Sequence, residues 1–234
     1  MTAGGEKELL FGGGFTRRKA LFHGETGWHS WKKQELWGFF REREEPLISR
    51  RLLTRIGGLL EAGSEERLRS RSRLLTLPAY PRILVVCHGN LCRSPAAERF
   101  LKRRLSSRRF EISSGGLSHQ ENIPTPSDFV LEARAFGLDL SGHRSRTVSS
   151  LLAEWADLIL FMDHTNRNLL LDFGEEAVRK SAWLGAWDFG PLEIPDPFGS
   201  TSTVMRQILE RLSRASDALS RELMARFPAK PGAE

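Results

Sequence analysis

Ile83-Leu84-Val85-Val86-Cys87-His88-Gly89-Asn90-Leu91-Cys92-Arg93-Ser94-Pro95 runs an apolar strand directly into a loop that holds a thiol, a guanidinium and a hydroxyl. The residues between Cys87 and Arg93 are enough for the loop to curl into a cup, with the backbone N–H groups of residues 88 to 93 turned inward. Gly89 and Asn90 suit the tight or left-handed backbone positions such a curl needs. Ser94-Pro95 reads as the opening of a helix, Ser as a cap and Pro preorganised at the first helical position, with Ala96-Ala97-Glu98-Arg99-Phe100-Leu101 continuing it. The helix N-terminus then faces the cup, where unpaired amides and the dipole favour an anion, the thiolate of Cys87 included. Arg93 offers a planar fork that grips two oxygens of a tetrahedral oxyanion better than lysine would. A bare Cys-x5-Arg spacing recurs by chance, and cysteine is often only a small buried hydrophobe. The strand before the motif, Gly-Asn within it and Ser-Pro after it select the other reading, a nucleophile in an oxyanion cup.

Outward from this loop the chain alternates strand and helix. The pattern predicts strands over 82–87, 108–113, 157–162 and, more weakly, 180–184. It predicts helices over 95–105, 127–136 (ended by Gly137), 148–154 and 165–172. Val204, Ile208, Leu212, Ala215, Leu219 and Leu223 recur at helical spacing and predict one long amphipathic helix over 202–226. The fold class is therefore α/β, a four-stranded parallel sheet with helices on both faces in a flavodoxin-like three-layer arrangement. Ligand sites in such sheets lie at the carboxyl ends of the strands, where Cys87 falls.

From about residue 82 to 226 the chain resembles the low-molecular-weight protein tyrosine phosphatases. Cys87 through Pro95 resembles the family's nucleophile loop, Ser113-Ser114-Gly115-Gly116 the segment after its second strand, and His143-Arg144-Ser145-Arg146 its His-x-x-Arg element. Ala156 through Asp163 resembles the third strand and its end, and Ile194-Pro195-Asp196-Pro197-Phe198-Gly199 the acid loop. The acid follows the nucleophile in the chain; in the other large group of cysteine-dependent tyrosine phosphatases it precedes it. The resemblance implies attack by Cys87 on phosphorus, with Arg93 and the loop residues His88, Gly89, Asn90, Leu91 and Cys92 binding phosphate. It makes Asp196 the general acid and then the base against a phosphocysteine intermediate. It also implies that Ser94 supports the thiolate, and that Asn90, Ser114 and His143 brace the loop. Asp-Pro alone is a common turn opener, so Asp196 takes its role from its place in this set. Asp163, at the end of a strand, reads equally as a functional group or as a helix cap.

Substrate class is read from the walls. Leu91 is aliphatic where the related arginine phosphatases carry threonine, which favours phosphotyrosine. Phe198 is a single aromatic where many tyrosine phosphatases have paired tyrosines, a form the arginine-specific group shares, and residues 117–121 hold no aromatic. The expected substrate is a phosphorylated protein, a bacterial tyrosine kinase of polysaccharide export being one such class, with phosphoarginine as the variant. An arsenate-reductase-like redox enzyme and a phosphoresidue-reading adaptor remain as alternatives of other classes. The redox alternative needs further downstream cysteines, and none follows Cys92. Cys92 matches a second loop cysteine of the family, which implies either a reversible bridge to Cys87 or simple packing behind the loop. The six histidines are scattered and no metal set is present, so neither metal nor other cofactor is expected.

Residues 1–78 are a different kind of segment from the catalytic domain at 79–230. Residues 1–80 carry 15 Lys and Arg against 10 Asp and Glu, whereas residues 81–234 carry 20 against 19, so the basic balance belongs mostly to the extension. Gly-rich sequence is followed by Trp28, Trp31 and Trp37. Ile48, Leu52, Ile56, Leu59 and Leu60 share one helical face with Arg50, Arg51 and Arg55 away from it. A mainly helical or partly disordered extension is expected, which either packs on the domain or docks a partner or membrane surface. Residues 64–73 form a charged, polar stretch, and Pro78-Ala79-Tyr80-Pro81 reads as the linker. There is no signal-peptide pattern and no apolar run long enough to span a bilayer. With a thiolate enzyme's need for reducing conditions, this makes the cytoplasm the expected compartment. No nucleic-acid partner is expected.

Overall fold

A computed structural model describes residues 63–105 and 110–228. The expectations for Trp28, Trp31, Trp37 and the face from Ile48 to Leu60 lie outside the described residues. Four parallel strands form one sheet in the order β2-β1-β3-β4. They are β1 (Arg82–Cys87), β2 (Glu111–Gly116), β3 (Leu158–Phe161) and β4 (Ser181–Trp183). The helices are α1 (residues 63–72), α2 (Arg93–Arg104), α3 (Ser127–Arg134), α4 (Ser150–Trp155), α5 (His164–Leu169), α6 (Glu175–Arg179) and α7 (Ser202–Arg226).

The run Ile83-Leu84-Val85-Val86 is buried throughout, as is Leu158 to Phe161, so these central strands are covered on both faces. Strand order explains how. The chain steps from β1 to β2 in one direction and from β2 to β3 in the other, and right-handed crossovers then place α2 and α4 on opposite faces. On the α2 face, Met205, Ile208, Leu209, Leu212, Ala215, Leu219 and Leu223 of α7 are buried against a core that includes Phe100 and Leu101. The long helix keeps its expected bounds but not its whole inner face. Val204 is exposed and Met205 takes the buried place beside it. On the opposite face Trp155 ends α4 with the Arg82 guanidinium 6.0 Å from its ring, and Asp157 accepts from both the Arg82 backbone and its guanidinium.

Three differences from the sequence reading have local causes. Strand β2 lies three residues later than expected and includes Ser113 to Gly116, which had read as a segment after the strand. Glycines are poor strand formers, but the ladder extends to the pair Cys87 and Gly116. A Cβ on Gly116 would lie 2.9 Å from the Gly89 carbonyl carbon, and one on Gly115 would lie 2.6 Å from Val148 Cγ2. Close approach of the loop, not strand propensity, fixes the glycines here. Second, α2 starts at Arg93 with Cys92 in the capping position, and Ser94 makes no cap. Pro95 sits within the first turn, where a missing N–H costs nothing. Third, the helix expected over 165–172 divides into α5 and the 3-10 turn Leu170–Phe173, while α6 and the 3-10 turn Leu184–Trp187 did not show in the pattern, each being too short to display a period.

The packed body begins before the linker. Leu74 and Leu77 are buried in the core, and Ser70 accepts a 3.2 Å bond from the Trp183 backbone N–H on the outer edge of β4. Arg71 pairs with Glu222 of α7, which also accepts from Trp187 Nε1. Residues of α1 thus cover the open side of the sheet, a common protection for an edge strand.

Candidate active site

Cys87 ends β1 and the loop turns at Asn90, whose φ of 54° lies in the left-handed region. Asparagine tolerates that conformation better than most residues, and its side chain is then used in full. Nδ2 donates to Ser94 Oγ and to Ser114 Oγ, each at 2.9 Å, and Oδ1 accepts from the Arg146 N–H at 3.1 Å. Ser114 passes its own hydrogen to Glu98 Oε2 at 2.5 Å. Ser94 Oγ accepts from Asn90, lies 3.1 Å from Cys87 Sγ in a hydrogen bond that either atom can donate, and is 3.4 Å from the Gly115 carbonyl oxygen, to which it can also donate. His143 Nε2 meets the Asn90 carbonyl oxygen at 2.7 Å, a contact that needs the proton on Nε2. Burial pushes the His143 pKa down, against the bond to Asn90, which raises it. Asn90, Ser114 and His143, expected to brace the loop, do meet around it.

Arg93 is 1 % exposed, and its position is set by the ends of two other segments. Nη1 donates to Asp163 Oδ2 at 2.5 Å and to the Ile194 carbonyl oxygen at 3.0 Å. Nη2 is bonded to Asp196 Oδ2. Asp163 accepts from the Asn166 N–H through its other oxygen at 2.7 Å, so one oxygen caps the helix and the other holds Arg93. Burial works against the Arg93 charge, but Cys87, Asp196 and Asp163 more than offset it and leave its pKa raised. Its Nε is buried without a partner, a donor that an oxyanion in the cup can take.

A pocket of about 120 Å³ opens over the sulfur, lined by Cys87, His88, Gly89, Leu91, Cys92, Gln120, Asp196 and Phe198. Asp196 and Phe198 are partly exposed on its rim, and the Asp196 carboxylate also accepts from the Phe198 N–H at 3.2 Å. His88 has an exposed side chain, while its carbonyl oxygen is held by Ser118. Cys92, which also lines this pocket, is a buried free thiol. Burial, followed by the neighbouring Cys87 and Asp196, pushes its pKa up.

Sequence reasoning missed Glu98 and Gln120, and named Arg146 only as the end of the His-x-x-Arg element, with no role. Glu98 had a signal, because it lies four residues after Ser94 on one face of α2. Gln120 had none. It lines the pocket, and a Cβ on Gly89 would lie 2.7 Å from its Oε1.

A thiol at the end of a central parallel strand, a buried guanidinium beside it and an aspartate across the cup are the parts of a cysteine-dependent phosphatase. The low molecular weight phosphotyrosine protein phosphatase family model matches residues 82–228, and the chain belongs to that family. It is 34% identical to the low molecular weight protein-tyrosine-phosphatase Wzb of Salmonella typhi, over 62% of this chain and 96% of that protein. The crystal structure of the tyrosine phosphatase Wzb from Escherichia coli K30 in complex with sulphate superposes with a TM-score of 0.58 at 32% identity, covering 62% of this chain and 99% of that one. The YwlE arginine phosphatase from Geobacillus stearothermophilus superposes with a TM-score of 0.57 at 27% identity, covering 62% and 94%. Among the described residues no helix is long and apolar enough to cross a membrane.

Proposed function

We propose that this protein hydrolyses phosphotyrosine on proteins through a phosphocysteine intermediate. Cys87 attacks phosphorus, and the Arg93 guanidinium and the amides of residues 88 to 93 hold the equatorial oxygens as charge spreads over them. Asp196 protonates the departing oxygen, and the same carboxylate then draws a proton from the water that attacks the intermediate. Ser94 donates to the sulfur and eases its departure in the second step. The observation that carries this reading is the bond between Arg93 and Asp196 at the rim of the pocket floored by Cys87. That bond joins Arg93 to a residue that shares the pocket with Cys87, as the reading requires.

Leu91 and Phe198 form apolar walls at the mouth, which suits an aromatic ring. Both cysteines of the chain lie in the loop, so a relay through further thiols has no residues to run on. The test is turnover of an aryl phosphate, abolished in Cys87→Ser and slowed roughly 100-fold or more in Asp196→Ala. Peptides carrying phosphotyrosine and phosphoarginine are then compared by kcat/KM; preference for the second would overturn the substrate assignment, and binding without turnover would make the protein a phosphoresidue reader.

A further inference from the structure

Four guanidinium groups hold the strap that leads from β4 to the acid loop, and one of them comes from outside the region that resembles the family. Arg67, on α1, donates from Nη1 to the carbonyl oxygens of Gly185 at 2.9 Å, Ala186 at 3.3 Å and Asp188 at 2.6 Å. Its Nη2 is bonded to the carbonyl of Gly190. Arg211 of α7 takes the next carbonyls, those of Pro191 at 2.5 Å and Glu193 at 2.8 Å, and binds the fully buried Asp188 carboxylate together with Arg214. Arg93 takes the carbonyl of Ile194. Backbone oxygens along residues 185 to 194 are thus fixed one after another, and Asp196 follows two residues later. The strap is also folded tightly on itself, because a Cβ on Gly185 would lie 2.0 Å from the Leu192 carbonyl oxygen. There is no slack to absorb a shift at one end.

We infer that Arg67 is a positioning residue for the general acid, so that the segment ahead of the catalytic domain sets where Asp196 stands over the cup. The inference rests on the reading of Asp196 as the acid. A planar guanidinium suits the task, since its fixed fork of donors can serve several converging carbonyls, whereas an ammonium is a compact charge on a flexible stem. A displacement of about 1 Å at a reacting group can cost roughly 100-fold in rate. The effect should concentrate on the step that needs the proton.

The test is the leaving-group dependence of kcat/KM in the full-length chain, because this constant reports events up to departure of the leaving oxygen. Phosphate monoesters are taken from those of strongly acidic phenols, which leave without a proton, to those of phenol and an alkyl alcohol, which do not. Arg67→Ala is expected to lose less than about threefold on the most acidic phenol and more than about tenfold on the poorest leaving group, steepening the slope toward that of Asp196→Ala. Arg67→Lys should fall between, and it decides the matter by the same slope if Arg67→Ala does not accumulate as a folded protein by circular dichroism and thermal unfolding. An equal loss on every ester, or no loss, with Asp196→Ala still steep, would reduce Arg67 to an anchor for α1 and overturn the inference. A flat series for Asp196→Ala itself would instead remove the acid assignment on which it rests.

Discussion

Arg93 and Asp163, seventy residues apart in the chain, are joined Nη1 to Oδ2 at 2.5 Å, with the guanidinium sealed from solvent and the carboxylate nearly so. The end of β3 therefore aims the phosphate clamp that begins α2. The other oxygen of Asp163 caps α5. The two duties can be separated by substitution. Asp163→Asn keeps an oxygen for the Asn166 N–H but removes the charge that orients Arg93. It should lower kcat/KM on an aryl phosphate about tenfold or more, since the clamp acts through position. Asp163→Ala should lose the same activity and a further ~1 kcal/mol of stability, the usual cost of deleting an N-cap. Steady-state kinetics and urea unfolding of the two variants check both halves.

Asn90 combines a backbone demand with a side-chain demand, and two substitutions tell them apart. Asn90→Gly keeps the left-handed turn and loses the bonds to Ser94, Ser114 and the Arg146 N–H. Asn90→Ala loses the same bonds and adds the strain of a Cβ at positive φ, about 1 kcal/mol or more. Both should be poor catalysts, because Ser94, 3.1 Å from the sulfur, loses the Asn90 contact that positions it. The alanine variant should also unfold at lower urea than the glycine variant. Equal midpoints would show that the turn carries no strain.

What the sequence made legible here follows the range of each interaction. The β1 run and the loop after it are contiguous, so strand, cup and nucleophile could be read together. The α7 helix repeats its apolar spacing over many turns, and its bounds were read correctly although Val204 and Met205 exchanged places. Strand β2 was misplaced because Ser113 to Gly116 obey a contact with the loop, which no local pattern expresses. The clamp on Arg93 and the Arg67 contacts join residues 70 to 123 positions apart, and a charged stretch such as 64–73 reads as solvated until its carbonyl partners are seen. The mutual placement of Asp163 and Asp196 around one guanidinium is likewise a product of β3 reaching the same end of the sheet as β1.

Acid should unfold this protein through the strap. Burial raises the pKa of Asp188, but hydrogen bonds from Arg214 and Arg211 outweigh it and leave the carboxyl below the ordinary aspartate range. The folded state therefore holds its proton less tightly than the unfolded chain, whose aspartates titrate near pH ~3.9. The stabilisation is fully present above that value and is lost as pH falls through the lower folded pKa. Asp188→Asn should cost about 3–5 kcal/mol at neutral pH, since two guanidinium groups lose their buried partner. Its stability should then depend less on pH than the wild type's between about pH 5 and pH 2. Urea midpoints measured across that interval give the comparison, and parallel curves for the two proteins would refute it.

Gly115 and Gly116 sit side by side at the end of β2, yet their replacement by alanine should have opposite prospects of repair. The Cβ at 115 would meet the Val148 side chain at 2.6 Å, and a side chain can be shortened. Gly115→Ala should lose about 1–3 kcal/mol by overpacking, and Val148→Ala in the same chain should restore much of that loss, a coupling that the double-mutant cycle reads directly. The Cβ at 116 would meet backbone instead, Gly89 C at 2.9 Å with the Asn90 nitrogen and the His88 oxygen at 3.1 Å. The nucleophile loop itself must move to make room. Gly116→Ala should therefore reduce kcat/KM by about tenfold or more, with no side-chain truncation nearby able to rescue it. A Gly116→Ala enzyme of normal activity would mean that the cup tolerates displacement of its own backbone, and the dependence of catalysis on a fixed loop geometry would fail with it.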